Sequence, residues 1–476
     1  MPDCCPLNKH SRTAYDLAII GAGSAGFSAA ITAAEQGAKV ALIGFGAIGG
    51  TCVNVGCVPS KTMIRAAEAL HSARAAGRFP GISGQAKLDD WRSLVAAKDD
   101  LVSTLRLKKY SDLLPEYRNI AYLDGPARLT GAGVMVNGAF ISAGQTIIAT
   151  GGRPAVPPLP GIGKVNYLTS TTLLELEDLP ESLIVVGAGY IGAELAQMMA
   201  RMGVKVTVVC RSRLLPQVEP EVSETLAEMF RAEGIILHCG IAYDACRQEG
   251  TGVTVGLKAD GKLIEIKAER LLVATGRAPN TETLGLADAG VEQDRRGAIV
   301  VDDRMRTSRP GLYAAGDVTD RDQFVYMAAY GAKLAALNAL NGDSLSYDNS
   351  AMPWVVFTDP QVAGVGHTEA AARAAGYEVK TSILPLDAVP RALAARDTRG
   401  LIKLVADART DHLLGGQILA PEGADSIQTL AIALKYGMTA KVLGETVFPY
   451  LTTVEGLKLA AQTFNKDVAK LSCCAG

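Results

Sequence analysis

Two thiols lie close together in the stretch "GGTCVNVGCVPSK", at Cys52 and Cys57. Pro59 suits the first position of a helix, so the pattern predicts a helix that starts at Pro59, with Cys57 just before it. A cysteine at a helix N-terminus, followed one turn later by a cation such as Lys61, has a lowered thiol pKa. We therefore expect a reactive thiolate here rather than a structural pair of cysteines.

The chain ends on two adjacent thiols, Cys473 and Cys474, in "LSCCAG". Neighbouring Cα atoms lie about 3.8 Å apart, which is shorter than the usual span of a disulfide, so a bridge between these residues would be strained. Two reduced thiolates on a chain end are better suited to carry a soft, two-coordinate cation. Such a cation would pass to Cys52 and Cys57 by exchange between thiolates.

The other cysteines carry weaker signals. Cys210, Cys239 and Cys246 border predicted strands with no partner at a useful spacing, and we expect them to be packing residues. Cys4 and Cys5 fit either an auxiliary metal-binding pair or a disordered start of the chain. An odd total of nine in a chain of 476 residues argues against a secreted disulfide framework and favours a reducing cytoplasm.

Two stretches predict the elements that would position this chemistry. "DLAIIGAGSAGFSAAITAAEQGAKVALIG" and "SLIVVGAGYIGAELAQMMARMGVKVTVVCRSR" each indicate a strand, a glycine turn, a helix and a second strand. A Gly-x-Gly-x-x-Gly turn lets the backbone approach a pyrophosphate at the helix N-terminus. Two such units predict two bound dinucleotides, the alternative being parallel sheets without nucleotide. The glycines are Gly21, Gly23 and Gly26 in the first turn and Gly187, Gly189 and Gly192 in the second.

The residue that ends each second strand bears on which nucleotide binds. An acid at this position commonly holds a ribose, yet the first unit has Gly44 there and the second continues into Arg211 and Arg213. Two arginines without an acid favour the 2′-phosphate of NADPH over the free hydroxyl of NADH. The alternative is that these arginines belong to a solvated loop.

Composition and charge exclude several classes of partner. The formal net charge of −2, without long basic runs, argues against a nucleic-acid partner. The N-terminus lacks the pattern of a signal peptide. The uncharged run from Leu17 to Ala34 reaches the minimum length of a membrane span, but its glycines and hydroxyl residues indicate strand, turn and helix. We expect no stable membrane association.

The dithiol segment and the two glycine turns together resemble the pyridine nucleotide–disulphide oxidoreductases. The resemblance implies FAD in the first fold and a nicotinamide nucleotide in the second, with Cys57 contacting the flavin and Cys52 exchanging with substrate. It also places Lys61 near the flavin, paired with Glu194, and Tyr190 over the nicotinamide pocket. Further implied contacts are Gly50, Thr51, Thr150, Gly151 and Asp317 for FAD, and Gly276 for NADPH.

One position departs from the pattern of the disulphide reductases. Members that cleave disulfides carry His-Pro, followed shortly by Glu, near the C-terminus as a proton relay. Here Pro449 and Glu455 are present, but Phe448 occupies the place of the histidine. A flavin-linked dithiol without this relay, together with the terminal cysteines, resembles the members that reduce Hg(II) to Hg(0), and the similarity extends from about Tyr15 onward.

That resemblance implies a head-to-tail homodimer in which the tail thiols of one subunit deliver Hg(II), taken from Hg(II)–thiol complexes, to the inner pair of the other. Tyr110 and Phe357 would line the final position of the ion, although Phe357 fits an ordinary strand residue nearly as well. Many such members begin with a metallochaperone-like domain, which we expect this chain to lack. The alternatives are an NADPH-dependent disulfide reductase of glutathione or lipoamide type, and a thiol metal-buffering protein.

The predicted fold class is α/β, with two Rossmann-like domains and a C-terminal α+β dimerisation domain. We expect the FAD-binding domain at 1–152 and 272–343, interrupted by the NADPH-binding domain at 153–271. The dimerisation domain would fill 344–476 with an antiparallel sheet, helices and the cysteine-bearing tail.

Overall fold

The computed structural model describes residues 14–131, 133–259 and 261–470. The two terminal thiol pairs of the sequence prediction, Cys4 with Cys5 and Cys473 with Cys474, lie outside these residues.

The helices are numbered in chain order. They are α1 Ser24–Glu35, α2 Gly50–Val55, α3 Cys57–Arg74, α4 Trp91–Arg106, α5 Ser170–Leu173, α6 Tyr190–Arg201, α7 Pro220–Ala232, α8 Val325–Asn341, α9 Glu369–Ala374, α10 Pro390–Ala395, α11 Gly423–Lys435, α12 Ala440–Glu445 and α13 Glu455–Gln462.

The strands are numbered in the same way. They are β1 Tyr15–Ile20, β2 Val40–Gly44, β3 Ile120–Asp124, β4 Ala127–Leu129, β5 Val134–Val136, β6 Ala139–Ile141, β7 Ala143–Ile148, β8 Gly152–Pro154, β9 Tyr167–Leu168, β10 Ser182–Val186, β11 Lys205–Val209, β12 Ile236–His238, β13 Ala242–Glu249, β14 Gly252–Ala259, β15 Lys262–Ala268, β16 Arg270–Val273, β17 Arg277–Pro279, β18 Leu312–Ala314, β19 Pro353–Val356, β20 Gln361–Gly366, β21 Val379–Pro385, β22 Leu401–Asp407 and β23 Leu413–Ala420.

The first of two compact units takes the residues up to 59, then 99–153 and 277–348. Its main sheet has the order β18-β7-β1-β2-β3, with every neighbouring pair parallel. β1 and β2 are almost entirely apolar and buried, as expected of strands covered on both faces. α1 and α8 pack against each other beside this sheet.

The second unit takes residues 60–98 and 154–276, then the chain from 349. A parallel sheet of order β12-β11-β10-β16-β9 carries the second glycine turn. An antiparallel sheet of order β19-β20-β23-β22-β21 carries α11 against β20 and β23, and α13 against β21 and β22.

Three smaller sheets complete the described structure. β4–β6 and β13–β15 form three-stranded antiparallel sheets, and β8 pairs with β17. No helix within the described ranges is long and apolar enough to span a bilayer.

The predicted fold class is confirmed: two parallel sheets follow the two glycine turns, and the C-terminal part is α+β with an antiparallel sheet. By compactness the chain forms two units, with the second parallel sheet and the antiparallel sheet in the same unit. The division into three functional domains remains a prediction.

Candidate active site

The dithiol lies in the first unit, at the beginnings of two consecutive helices. Cys52 is in the first turn of α2, and Cys57 begins α3 after the single residue Gly56. Both cysteines are partly buried and neither is in a disulfide. The helix begins two residues before the predicted start at Pro59, so that Cys57 is its first residue and the helix dipole acts on its sulfur.

Close backbone contact fixes the dithiol segment against the first glycine turn. The N–H of Gly49 donates to the carbonyl of Ala22 at 2.9 Å. Gly50 has φ of +68°, and a Cβ on it would lie 2.6 Å from the Cα of Gly23. Only glycine avoids both the left-handed strain and the collision. The start of the dithiol helix and the turn are thus held in van der Waals contact.

Tyr110 is brought to the same place from a distant part of the chain. It lies in a π-helical turn, Leu107–Ser111, that continues α4. Its ring packs edge-on to Phe27 with centroids 4.9 Å apart, and its hydroxyl lies 3.4 Å from that of Ser24. Burial raises the pKa of Tyr110, and the charges of the two site cysteines raise it further. The phenol therefore stays protonated next to the dithiol.

The first glycine turn fits the pyrophosphate of a dinucleotide. A Cβ on Gly26 would lie 1.8 Å from the carbonyl oxygen of Gly21, so helix and strand approach as closely as backbone allows. α1 begins at Gly23, where no side chain caps the helix and its first N–H groups are left for a ligand. The residues present fit FAD.

Further predicted FAD contacts belong to the same unit. Asp317 accepts a hydrogen bond from Nε of Arg277 at 2.8 Å, and the Thr150 hydroxyl donates to the carbonyl of Asn280 at 2.7 Å. Gly151 faces open space, with nothing within 4 Å of a Cβ built on it. The side chains of Asp317 and Thr150 are therefore held in place by the protein itself. Thr51 is exposed, near the beginning of α2.

The second glycine turn repeats this construction in the second unit. A Cβ on Gly192 would lie 2.2 Å from the carbonyl oxygen of Gly187, whereas Gly189 and Gly276 face open space. α6 also begins without a side-chain cap. These residues fit a second dinucleotide.

Tyr190, the first residue of α6, is fixed by an aromatic neighbour that the sequence did not reveal. Its ring stacks on that of Trp354 with centroids 5.6 Å apart. Burial raises the pKa of Tyr190 to about 12. Trp354 comes from β19, and no local pattern links it to the glycine turn.

Lys61 and Glu194 form an ion pair inside the second unit. Nζ of Lys61 donates to one carboxylate oxygen of Glu194 at 2.7 Å, and the N–H of Phe357 donates to the other at 2.9 Å. The ammonium group also lies 5.0 Å from the centroid of the Phe357 ring. Glu194 is 5% exposed, so the pair is well shielded from water on that side. Lys61 lies one helical turn after Cys57 in α3.

Comparison with family models gives two matches. Residues 15–336 match the pyridine nucleotide-disulphide oxidoreductase model, and residues 352–461 match the dimerisation domain of the same group. The chain belongs to the pyridine nucleotide-disulphide oxidoreductase family. FAD and NADPH are the cofactors of such oxidoreductases, and the dimerisation domain supports a homodimer.

Relatives of known description narrow the position within the family. A mercuric reductase of Lysinibacillus sphaericus is 49% identical over 97% of this chain and 85% of its own. A mercuric reductase of Streptomyces lividans is 46% identical over 98% of this chain and 99% of its own. Among solved structures, the Cu(II) complex of the HOCl-induced flavoprotein disulfide reductase RclA from Escherichia coli has a TM-score of 0.83 at 30% identity, covering 94% of this chain and 99% of that one.

Phe448 occupies the position where disulfide-cleaving members of the family carry a histidine, and its surroundings are apolar too. Phe448 packs against the hydrophobic core of the antiparallel sheet. Glu455 is buried at the start of α13, where its carboxylate accepts a hydrogen bond from the N–H of Leu451 at 3.3 Å. Phe448 has no group that takes up or releases a proton, so this position lacks the imidazole of the relay.

The two arginines expected at the NADPH phosphate have different surroundings. Arg213 donates to the carbonyl oxygens of Pro216 and Val218, so its guanidinium is already engaged with the loop. Arg211 is exposed, with no hydrogen bond or ion pair within the described ranges. Of the two, Arg211 is the one left available for a 2′-phosphate.

Cys210 and Cys239 both pack in the hydrophobic core of the second unit, as expected of packing residues. They also follow neighbouring parallel strands in register, which brings the two thiols together, and the thiol of Cys210 donates to the carbonyl of Ser212 at 3.7 Å. Sequence spacing could not show this, because the contact depends on the pairing of β11 with β12. Cys246 is buried in an apolar cluster with a raised thiol pKa, as a packing residue should be.

Proposed function

We propose that this protein reduces Hg(II) to volatile Hg(0) in the cytoplasm, with NADPH as electron donor. One observation carries the proposal: a partly buried, reduced dithiol beside a protonated tyrosine and a FAD-type glycine turn, in a chain whose proton-relay position is Phe448. The similarity to mercuric reductases over nearly the full chain supports the same reaction.

The dithiol would hold the substrate. Cys52 and Cys57 exchange for the two thiol ligands that accompany Hg(II), giving a linear cation bound by two sulfurs. When bound, FAD supplies the cation with two electrons that come from NADPH. The product Hg(0) has little affinity for thiolate, so the sulfurs are released without protonation of a leaving group. No histidine is needed for that step.

The remaining residues position and shield the ion. The protonated hydroxyl of Tyr110 provides a neutral oxygen next to the thiolates without adding charge. The Lys61–Glu194 pair fixes a cation one turn after Cys57, which favours the thiolate form of that cysteine. The ring of Phe357 lies against the ammonium group of this pair.

We further propose that each active site is shared between the subunits of a homodimer. The tail thiols Cys473 and Cys474 of one subunit would collect Hg(II) from thiol complexes and pass it to Cys52 and Cys57 of the partner. The dimerisation-domain match supports the dimer, and the adjacent cysteines support the carrier role.

One assay separates this function from its alternative. NADPH oxidation is followed with Hg(II) in excess thiol, together with detection of mercury vapour, and then with oxidised glutathione or lipoamide in place of Hg(II). We expect turnover and vapour only with mercury. Rapid turnover of an organic disulfide without mercury would identify a disulfide reductase and refute the proposal.

A further inference from the structure

A second pair of thiols lies outside the dithiol site, at the edge of the parallel sheet in the second unit. In the pairing of β11 with β12, Val209 is opposite His238. The N–H of Cys210 donates to the carbonyl of His238 at 2.9 Å, which continues the ladder by one residue. Cys210 and Cys239 are therefore the next pair in register, with their side chains on the same face.

The pairing places the two thiols side by side, at a separation that a linear cation can bridge. Neighbouring strands lie about 4.8 Å apart. A metal–thiolate bond is about 2.3 Å long, so two such bonds in line span about 4.6 Å. A disulfide also fits this distance, since bridged Cα atoms lie about 4.4–6.8 Å apart, but both cysteines are free thiols in the structure.

The surroundings favour binding of a soft cation. Cys239 is partly exposed, so the pair can be reached from solvent, whereas Cys210 is buried. No group of three or more metal-ligating side chains occurs among the residues that the structure describes, so a cation here would be held by two sulfurs.

We propose that Cys210 and Cys239 form a binding site for a linear, two-coordinate soft cation, represented by Hg(II). Loading is ligand exchange: two S–Hg bonds to external thiols break and two to the cysteines form. The protons of the cysteines pass to the departing thiols, or to solvent, and no oxidation state changes. The site does not depend on the proposed function, because binding requires neither NADPH nor reduction.

The test is cysteine-resolved alkylation of the full-length flavoprotein without NADPH. Mercuric chloride is added stepwise in the presence of glutathione, the protein is treated with iodoacetamide, and labelling of each cysteine is measured by mass spectrometry. We expect Hg(II) to lower labelling of Cys239 at least tenfold. Cys210→Ser should remove most of that protection, whereas the matched control Cys246→Ser should leave it intact.

Two results would overturn the proposal. One is labelling of Cys239 at the same rate with and without Hg(II). The other is a cross-linked peptide pair two mass units lighter, which would show that Cys210 and Cys239 form a disulfide instead. The alkylation experiment does not measure mercury vapour. A negative result would therefore refute the second thiol site without refuting the proposed reduction of Hg(II).

An independent observation concerns the missing ribose acid at Gly44. A Cβ on Gly44 would lie 2.3 Å from the hydroxyl oxygen of Tyr122 and 2.9 Å from Cβ of Ala22. The Tyr122 hydroxyl thus covers the carboxyl end of β2, beside the first glycine turn. It has no hydrogen bond to any residue within the described ranges.

We infer that Tyr122 takes the place of the acid and bonds the adenosine ribose of FAD. The carboxyl end of the second strand is where a Rossmann fold holds that ribose, and a phenol can both donate and accept. This inference depends on the fit of FAD to the first glycine turn, and leaves the identity of the electron acceptor open.

Binding of FAD to the apoprotein, followed by quenching of flavin fluorescence, tests the role of Tyr122. Tyr122→Phe should weaken FAD about two- to tenfold, the effect of one lost hydrogen bond. Tyr167→Phe, in the second unit, is the control and should have no effect. Gly44→Glu as a single substitution should weaken the binding of FAD, because its side chain would collide with Tyr122. Combined with Tyr122→Ala, the same substitution should restore FAD binding. Equal FAD affinity of Tyr122→Phe and the unaltered protein would refute the inference.

Discussion

At the scale of single residues, Arg211 and Arg213 after β11 show that a residue at the expected position in the sequence is not always available to bind a phosphate. Both follow the strand after which a 2′-phosphate is expected to bind. The guanidinium of Arg213, however, donates hydrogen bonds to the carbonyl oxygens of Pro216 and Val218. Arg211 keeps its donors exposed. Electrostatic preference for NADPH should therefore depend on Arg211.

We predict that Arg211→Ala weakens NADPH about tenfold and leaves NADH nearly unchanged, because about 1.4 kcal/mol of phosphate contact is lost. The dissociation constants of both nucleotides can be measured by titration of protein fluorescence. Arg213→Ala serves as the comparison and should affect the two nucleotides alike through the loop. A uniform loss for Arg211→Ala would contradict contact with the phosphate.

Several single-residue relations could not be read from the sequence. The Lys61–Glu194 pair joins residues 133 positions apart, and it was expected only through resemblance to a family. The stacking of Trp354 on Tyr190 and the cover of Gly44 by Tyr122 were not expected at all. Each depends on tertiary packing, for which neighbouring residues carry no periodic signal.

At the scale of helices, strands and turns, the sequence predicted the structure better than it predicted contacts between single side chains. Both glycine turns were predicted correctly as strand-to-helix connections, since a Cβ at Gly26 or Gly192 would collide with backbone and the spacing therefore encodes the turn itself. The antiparallel C-terminal sheet was also expected. The pairing of β11 with β12 was not expected. The proximity of Cys210 and Cys239, which depends on that pairing, was therefore missed.

Gly50 allows a direct test of how the dithiol helix depends on the glycine turn. We predict that Gly50→Ala lowers the content of FAD per chain severalfold, because the added Cβ pushes against Gly23. Flavin absorbance of the purified protein gives the measurement. Gly37→Ala is a matched control: its φ is +83°, so it carries similar strain, but nothing lies within 4 Å of the new Cβ. Normal FAD content in Gly50→Ala would contradict the packing argument.

A buried charge cluster holds elements of the second unit together. Nζ of Lys403, on β22, lies 3.1 Å from Glu219, 2.9 Å from Glu221 and 3.0 Å from Glu369. Burial lowers the pKa of Lys403, but the hydrogen bonds that its ammonium group donates to Glu221 and Glu369, and the charge of Glu219, outweigh it, and the net shift is upward. The ammonium group is therefore charged throughout the neutral range.

We predict that Lys403→Met destabilises the protein by about 3–5 kcal/mol, because it leaves the buried carboxylate of Glu219 unpaired. The midpoint of urea unfolding of the flavoprotein is the measurement. Arg373→Ala, which removes an exposed pair with Glu369 on α9, should cost only about 0.5 kcal/mol. Similar midpoints for the two variants would show that the cluster is not stabilising.

At the scale of the whole molecule, the proposal that the active site is shared between subunits predicts how mixed dimers behave. Chains carrying Cys57→Ala lack the inner dithiol, and chains carrying Cys473→Ala with Cys474→Ala lack the tail thiols. If tails serve the partner, a dimer of the two kinds retains one complete site. We expect co-expressed chains to reduce thiol-bound Hg(II), measured as mercury vapour, at a rate well above either parent.

The purified parents, assayed separately, provide the baseline for that experiment. Both should bind FAD, and the tail variant should still oxidise NADPH when Hg(II) is supplied with few competing thiols. Mixed dimers no more active than the parents would mean that each tail serves its own chain.

The stacking of Trp354 on Tyr190 has an optical consequence. The chain contains only two tryptophans, and the indole N–H of the other, Trp91, donates to the carbonyl of Leu176 at 2.7 Å within a buried core. Emission from Trp91 should therefore be constant. If the nucleotide displaces the Tyr190 ring, as the family resemblance predicts, the resulting change in ultraviolet fluorescence will come from Trp354. The enzyme would then report binding of its electron donor without any added dye.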